Sequence, residues 1–283
     1  MNVARRRDRQ CPVSAGAHRT YGELEQLKLR VDSLPSGVLR RLQQFLQVRE
    51  IRNAVALVRY LVLRVVLRRN RVFSRREQRH LGRRTFEHNY GAIRHSVTTV
   101  DRMHHLLRPV TAIATVATNL PTLKTLSIGP RAEGELLLIA GYGFSWNNIH
   151  ALDLFSYSPR IDVGDMHDMP YEDSTFDIVF SGWSLAYSDD RPRALREMIR
   201  VLKDGGIVAF GQGHSRTGEL AVGGSHKSNS FEEIFAPIKD HIDTVYFRHE
   251  ITPEMREKDL TAIVHVFSIK KAEAQPAVLV AAR

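Results

Sequence analysis

Residues 125–154 read TLSIGPRAEGELLLIAGYGFSWNNIHALDL, residues 164–190 read GDMHDMPYEDSTFDIVFSGWSLAYSDD, and residues 196–213 read REMIRVLKDGGIVAFGQG. An apolar strand over Leu126, Ser127 and Ile128 runs into a turn opened by Gly129, with a helix starting near Glu133 and Gly134. A second apolar strand over residues 149–152 ends on Asp153, and a third feeds the turn Gly164-Asp165-Met166. Residues 176–181 read as a fourth strand. Residues 193–202 read as a helix with Ala194, Leu195, Met198, Ile199 and Leu202 on one face, and residues 207–210 as a fifth strand. Lys203-Asp204-Gly205-Gly206 punctuates the last two. A helix over residues 231–238 and strands over 244–247 and 262–269 close the pattern.

This order and spacing resemble the class I S-adenosylmethionine (SAM) dependent methyltransferases, with a type 11-like domain. The resemblance covers about the last two thirds of the chain, and residues 164–206 match it best. It implies an α/β fold: a Rossmann-like, mostly parallel seven-stranded sheet with an N-terminal basic helical extension. The corresponding division is a mainly helical extension over 1–85, the methyltransferase domain over 86–272 and a tail over 273–283. It also implies SAM as cofactor and a methyl acceptor as second substrate.

The cofactor residues follow one at a time. Gly129 allows positive φ and close approach of the backbone, and the helix starting at Glu133-Gly134 offers free N–H groups to an anionic end. The family's acid-x-Gly-x-Gly-x-Gly turn becomes Ser127 to Gly134 here. Ser127 takes the place of the acid, and Arg131 and Glu133 stand where glycines are expected. Glu133 then supplies the carboxylate that an ammonium needs; alternatively Arg131 pairs with Glu133 or Glu135 and shapes the turn. Asp153, at the end of its strand, suits a ribose diol, because one carboxylate accepts from both hydroxyls. That rule also fits a nicotinamide dinucleotide. The resemblance favours SAM through Gly164-Asp165-Met166-His167-Asp168-Met169-Pro170-Tyr171, similar to the family's Gly-Asp-x-x-x-Leu-Pro-Phe turn. There Asp165 accepts from the adenine amino group and Met166 packs the ring, the plain alternative being that Asp165 caps the turn. His167 reads as a spacer at the rim. Ser181, Gly182 and Trp183 fall beyond the fourth strand, near the transferred methyl. Trp183 serves as apolar wall, as cation–π partner or as core. His214, in GQGHS, is the base candidate for a hydroxyl acceptor. Tyr90 is a candidate for the cofactor's carboxylate end. Of His104-His105, adjacent on a helix, at most one can enter a given cleft.

Charge divides the chain. Residues 1–110 hold 24 Lys or Arg against 8 Asp or Glu, and the remainder 17 against 23, within a net charge of +10. Catalysis belongs to the acidic part, and an anionic surface would meet the basic part. The run AVALVRYLVLRVVL, residues 54–67, is apolar nearly all round, and RRNRVFSRREQRHLGRR follows it. This region reads as a cap on the catalytic domain, as peripheral contact with an anionic membrane through residues 38–84, or as a nucleic-acid arm. Cys11 is the one cysteine, so no intramolecular disulfide is expected. No spacing of metal ligands occurs, and neither an apolar leader nor a spanning segment is seen. The expectation is a cytoplasmic, optionally membrane-peripheral enzyme that methylates O or N of a small-molecule or glycan-type acceptor. The alternatives are an inactive methyltransferase-like regulator and an RNA-directed enzyme.

Overall fold

The structure, a computed structural model, describes residues 36–69, 71–72, 102–130, 132–213, 230–252, 254 and 262–271. Tyr90, Arg131, His214, the loop after it and the tail over 273–283 lie outside the described residues. The chain divides into two units, Met1–Leu42 and Gln43–Arg283. In order the elements are α1 (Ser36–Phe45), α2 (Arg49–Tyr60) with its π-helical continuation (Leu61–Val66), β1 (Arg71–Val72), α3 (His104–Thr111) and α4 (Ala114–Asn119). Then come β2 (Thr125–Ile128), α5 (Glu133–Gly141), β3 (Ile149–Asp153), β4 (Phe155–Ser156), β5 (Asp162–Val163) and β6 (Phe176–Gly182). α6 (Arg191–Val201), β7 (Leu202–Gly213), α7 (Phe231–Phe235), β8 (Ile242–His249) and β9 (Ala262–Ile269) complete the series.

Seven strands form one sheet in the order β5-β3-β2-β6-β7-β9-β8. The first five run parallel, and β9 and β8 join antiparallel. Strand β2 is buried at every position, as expected where helices cover both faces of a parallel sheet. On one face Leu195, Met198, Phe231 and Phe235 pack against Val208 and Phe210. On the other, Leu106, Leu107, Leu136 and Ile139 pack against Ile178 and Phe180. Asp190 starts α6, its carboxylate accepting from the Arg193 N–H at 3.1 Å, with Pro192 in the first turn. The chain builds outward from β2 to β3 and β5, then returns to β6 on the other side of β2. Ligands in such sheets bind beyond the carboxyl ends of the strands at that reversal.

Two features were not foreseen. The connection from β3 to β5, residues 154–161, carries no α-helix; β4 within it pairs antiparallel with β1. And α5 is buried along its whole length, its first-turn acids Glu133 and Glu135 included; the apolar run over residues 136–140 that follows them accounts for the rest. The sheet covers one side of it, and α2 lies against it on another, Ala56 meeting it at Gly134.

Candidate functional site

The carboxyl ends of β2, β3, β5 and β6 are tied level by backbone hydrogen bonds. The Gly129 N–H donates to Leu152 O at 2.8 Å, and the Gly164 N–H donates to Asp153 O at 3.0 Å. Ser181 pairs in register with Ile128. Gly129 adopts φ +73°, and a Cβ built there would stand 2.8 Å from the Ser184 Cβ. Only glycine meets both conditions, the left-handed backbone and the close approach. This brings Gly129, Asp153, Asp165 and Ser181 to one end of the sheet around the reversal. Asp153 and Asp165 are both buried. The Asp153 carboxylate accepts from the Phe155 N–H at 3.3 Å.

Asp165 is the better organised of the two. Its Oδ1 accepts from the His167 backbone N–H at 2.9 Å and meets His167 Nδ1 at 2.5 Å. The far nitrogen, Nε2, lies 2.7 Å from Ser188 Oγ. With the carboxylate ionised, Nδ1–H donates to Asp165, while Nε2 faces the Ser188 hydroxyl. His167 is 2% exposed, so it is the buried link between Asp165 and the loop after β6. The turn is held from outside by α6. Arg193 Nε donates to His167 O at 2.8 Å, Glu197 accepts from the Met169 N–H at 2.8 Å, and Arg200 donates to Met169 O and Tyr171 O. Burial disfavours the Glu197 charge, but the Arg200 guanidinium and the Met169 N–H hold its pKa below the usual carboxylate range. Met166 packs half-buried beside this turn.

Glu133 and Gly134, at the start of α5, meet α2 and the segment after β3. The Glu133 carboxylate, fully buried, takes both Arg59 Nε and Arg59 Nη2 from α2, and accepts from Ser158. The Glu133 N–H donates to the Tyr157 hydroxyl at 2.9 Å. Burial pushes the Tyr157 phenol pKa well above its ordinary value, and the Glu133 pairing outweighs burial to raise that of Arg59. Glu135 in turn accepts from Ser127, the residue standing where the family has an acid. Two acids in the first turn of α5 are favoured by the helix dipole. Arg59 was missed because its partner is 74 positions away; the only sequence signal was an arginine interrupting an apolar run.

Trp183 adopts φ +61°, an uncommon conformation for a bulky residue and a mark of stored strain. Its N–H donates to Gly211 O at 2.7 Å. The ring lies so close over Gly211 that a Cβ there would be 2.9 Å from it. The Arg102 guanidinium sits 5.6 Å from the ring centroid, and the His105 ring is 6.4 Å from it. His104 faces elsewhere, its Nδ1 2.8 Å from the Tyr142 hydroxyl.

Residues 144–210 match the model of a methyltransferase domain. A malonyl-[acyl-carrier protein] O-methyltransferase of Halorhodospira halophila is 44% identical over 52 residues, 18% of either chain. One from Serratia marcescens is 27% identical over 165 residues, 47% of this chain and 61% of its own. A glycine/sarcosine/dimethylglycine N-methyltransferase of Actinopolyspora halophila is 35% identical over 99 residues, 33% of this chain and 16% of its own. The chain thus spans less than two thirds of the length of these curated relatives. Among solved structures, the 1,6-didemethyltoxoflavin-N1-methyltransferase of Burkholderia thailandensis, with bound 1,6-didemethyltoxoflavin and S-adenosylhomocysteine, superposes with a TM-score of 0.47. It is 15% identical and covers 66% of this chain and 86% of its own. The matched segment contains the acid-tipped β3, the Gly-Asp-Met turn and α6, inside a sheet of the order described, so residues 144–210 are similar to a methyltransferase domain both in sequence and in the elements they form.

Proposed function

We propose that this chain binds SAM at the carboxyl ends of β2, β3 and β5 and methylates an oxygen or nitrogen of a small-molecule or glycan-type acceptor. The observation that carries this reading is the placement of two buried carboxylates, Asp153 and Asp165, on neighbouring strand ends beside the left-handed Gly129. Such a pair suits a nucleoside: one acid for a ribose diol, one for an exocyclic amine. The match of residues 144–210 to a methyltransferase domain supports it independently, and the relatives named for O- and N-methylation support acceptors of either kind.

When bound, the cofactor supplies a methyl group made electrophilic by a sulfonium. The chain's own residues then have these tasks. Asp153 takes the ribose hydroxyls. Asp165, held by His167 and by the clamp from α6, presents one carboxylate orientation to the adenine amine. Met166 covers the ring. Gly129 lets the backbone of the turn approach without a side chain in the way. Ser181 sits beneath, its Oγ 3.2 Å from Ser184 Oγ, and Trp183 walls the side toward α3. His214 keeps the role of base for a hydroxyl acceptor.

At the amino-acid end, Glu133 and Arg59 neutralise one another, and the turn lacks two of the family's glycines. That pair favours, as a second reading, a methyltransferase-like protein that acts by binding rather than by turnover. Calorimetric titration with SAM and its demethylated product separates them. Micromolar binding weakened about ten-fold or more by Asp153→Ala and by Asp165→Ala, the cost of a lost charged hydrogen bond, supports the site. No binding by the folded parent chain removes it. Binding without turnover on any acceptor of either class favours the second reading.

A further inference from the structure

The run that is apolar nearly all round has two apolar faces for two different reasons. One faces inward: Ala56 is fully buried and meets Gly134 of α5, and Leu63 is buried with Ala132 and Tyr157. The other faces outward. Ile51, Val58, Val62, Val65 and Val66 are 39%, 60%, 45%, 60% and 70% exposed, and at helical spacing they fall along one side. The π-helical turn, marked by the Leu67 N–H donating to Val62 O at 2.9 Å, keeps both Val65 and Val66 on the outside. The stripe runs over residues 51–66, about 24 Å at the rise of a helix. Single exposed aliphatics are ordinary, but a row of branched ones along one side of a helix marks an interaction surface.

Charge chooses the partner. Residues 43–72 contain seven arginines and one acid, Glu50; of these, Arg52 is buried and Arg59 pairs with Glu133, so neither adds charge to the outer face. The arginines bracket the stripe, with Arg49 before it and Arg68 and Arg69 after it. Two copies of this face would oppose like charges, so self-association is disfavoured. An aliphatic stripe on a convex helix, flanked by long cationic side chains, suits a plane of acyl chains under anionic head groups, where arginine stems reach outward to phosphate. We propose that the outer face of α2 and its π-helical turn docks this protein on an anionic lipid surface, with α5 held against the inner face. This goes beyond the methyl-transfer reading and does not depend on it.

The test is co-sedimentation of the full chain with phosphatidylcholine vesicles containing about 30% phosphatidylserine, beside pure phosphatidylcholine, at low and high salt. Binding is expected on the mixed vesicles, about ten-fold weaker on the neutral ones and reduced by salt. The double variant Val58→Glu/Val65→Glu should lose about ten-fold in partitioning with an unchanged melting temperature, since both positions are exposed. Failure of the parent chain to bind anionic vesicles overturns the proposal. So does equal binding by the double variant, which would leave only a diffuse arginine effect. A dimer in sedimentation velocity that the double variant dissociates would assign the face to a second copy instead.

Discussion

His265 on β9 titrates far from the proposed site and gives a quantitative test of the packing. Its side chain is fully buried, and neither ring nitrogen has a hydrogen-bond partner among the described residues. It is stacked 6.1 Å from Phe210, with Phe231 and Phe235 meeting it edge to face. Burial lowers its pKa to about 4 from 6.5; Arg248 and His249 push the same way, while Glu250 and Glu232 oppose them. The unfolded imidazole therefore takes a proton near pH 6.5 and the folded one only near pH 4. Between those values the unfolded state binds more protons, so stability is intact above pH 6.5 and falls as pH drops. Each pH unit costs about 1.4 kcal/mol. From pH 7 to pH 5 the loss is about 2 kcal/mol, and it levels off near 3 kcal/mol once the folded ring titrates too. Urea unfolding of the parent and of His265→Phe across pH 7 to 5 measures it. The variant should lack that part of the slope, whatever constant offset the larger ring introduces. It should also gain at pH 7, because two unsatisfied buried nitrogens are removed. An unchanged difference between parent and variant from pH 7 to 5 would refute the argument, and with it the picture of a neutral, sealed ring.

Two further outcomes follow from the glycine turn and the buried acid. Gly129→Ala should destabilise by about 2–4 kcal/mol, part from the left-handed backbone and part from the approach to Ser184. Adding Ser184→Gly should recover the second part alone in denaturant unfolding; full recovery or none would show that one of the two terms is absent. Arg59→Ala should cost about 2–3 kcal/mol by leaving Glu133 buried without its cation. That is below the loss typical of a sealed pair, because Arg59 is 36% exposed and shares its charge with water. Arg59→Ala with Glu133→Gln should restore much of it, and a double-mutant cycle with no coupling would dissolve the pair.

The sheet was legible because its signals are local. Strand, glycine turn and acid follow one another within residues 125–213, and a parallel sheet buried on both faces needs nothing but contiguous apolar runs to announce itself. Edges shifted where geometry rather than composition decided them. Strand β7 extends over Leu202–Gly213 because its pairing with β6 and β9 runs beyond the apolar stretch at 207–210. The expected helix over 231–238 breaks into α7 and a 3-10 turn where Pro237 enters. What sequence could not carry was the second partner of each polar group. His167 read as a spacer because Asp165 is two residues off and visible, whereas Ser188, 21 positions away, completes the link. Only the apolar face of α6 was named from the sequence, yet Arg193, Glu197 and Arg200 on that helix fix the turn that carries Asp165. Glu133 was offered either to an ammonium or to Arg131; the structure pairs it with the guanidinium of Arg59. The same substitution logic explains the altered turn. An acid at a glycine position is tolerable only if something neutralises it, and α2 delivers that charge to the buried first turn of α5. The basic helix and the unusual glycine turn are thus one arrangement, in which the inner face of α2 carries the arginine that Glu133 requires.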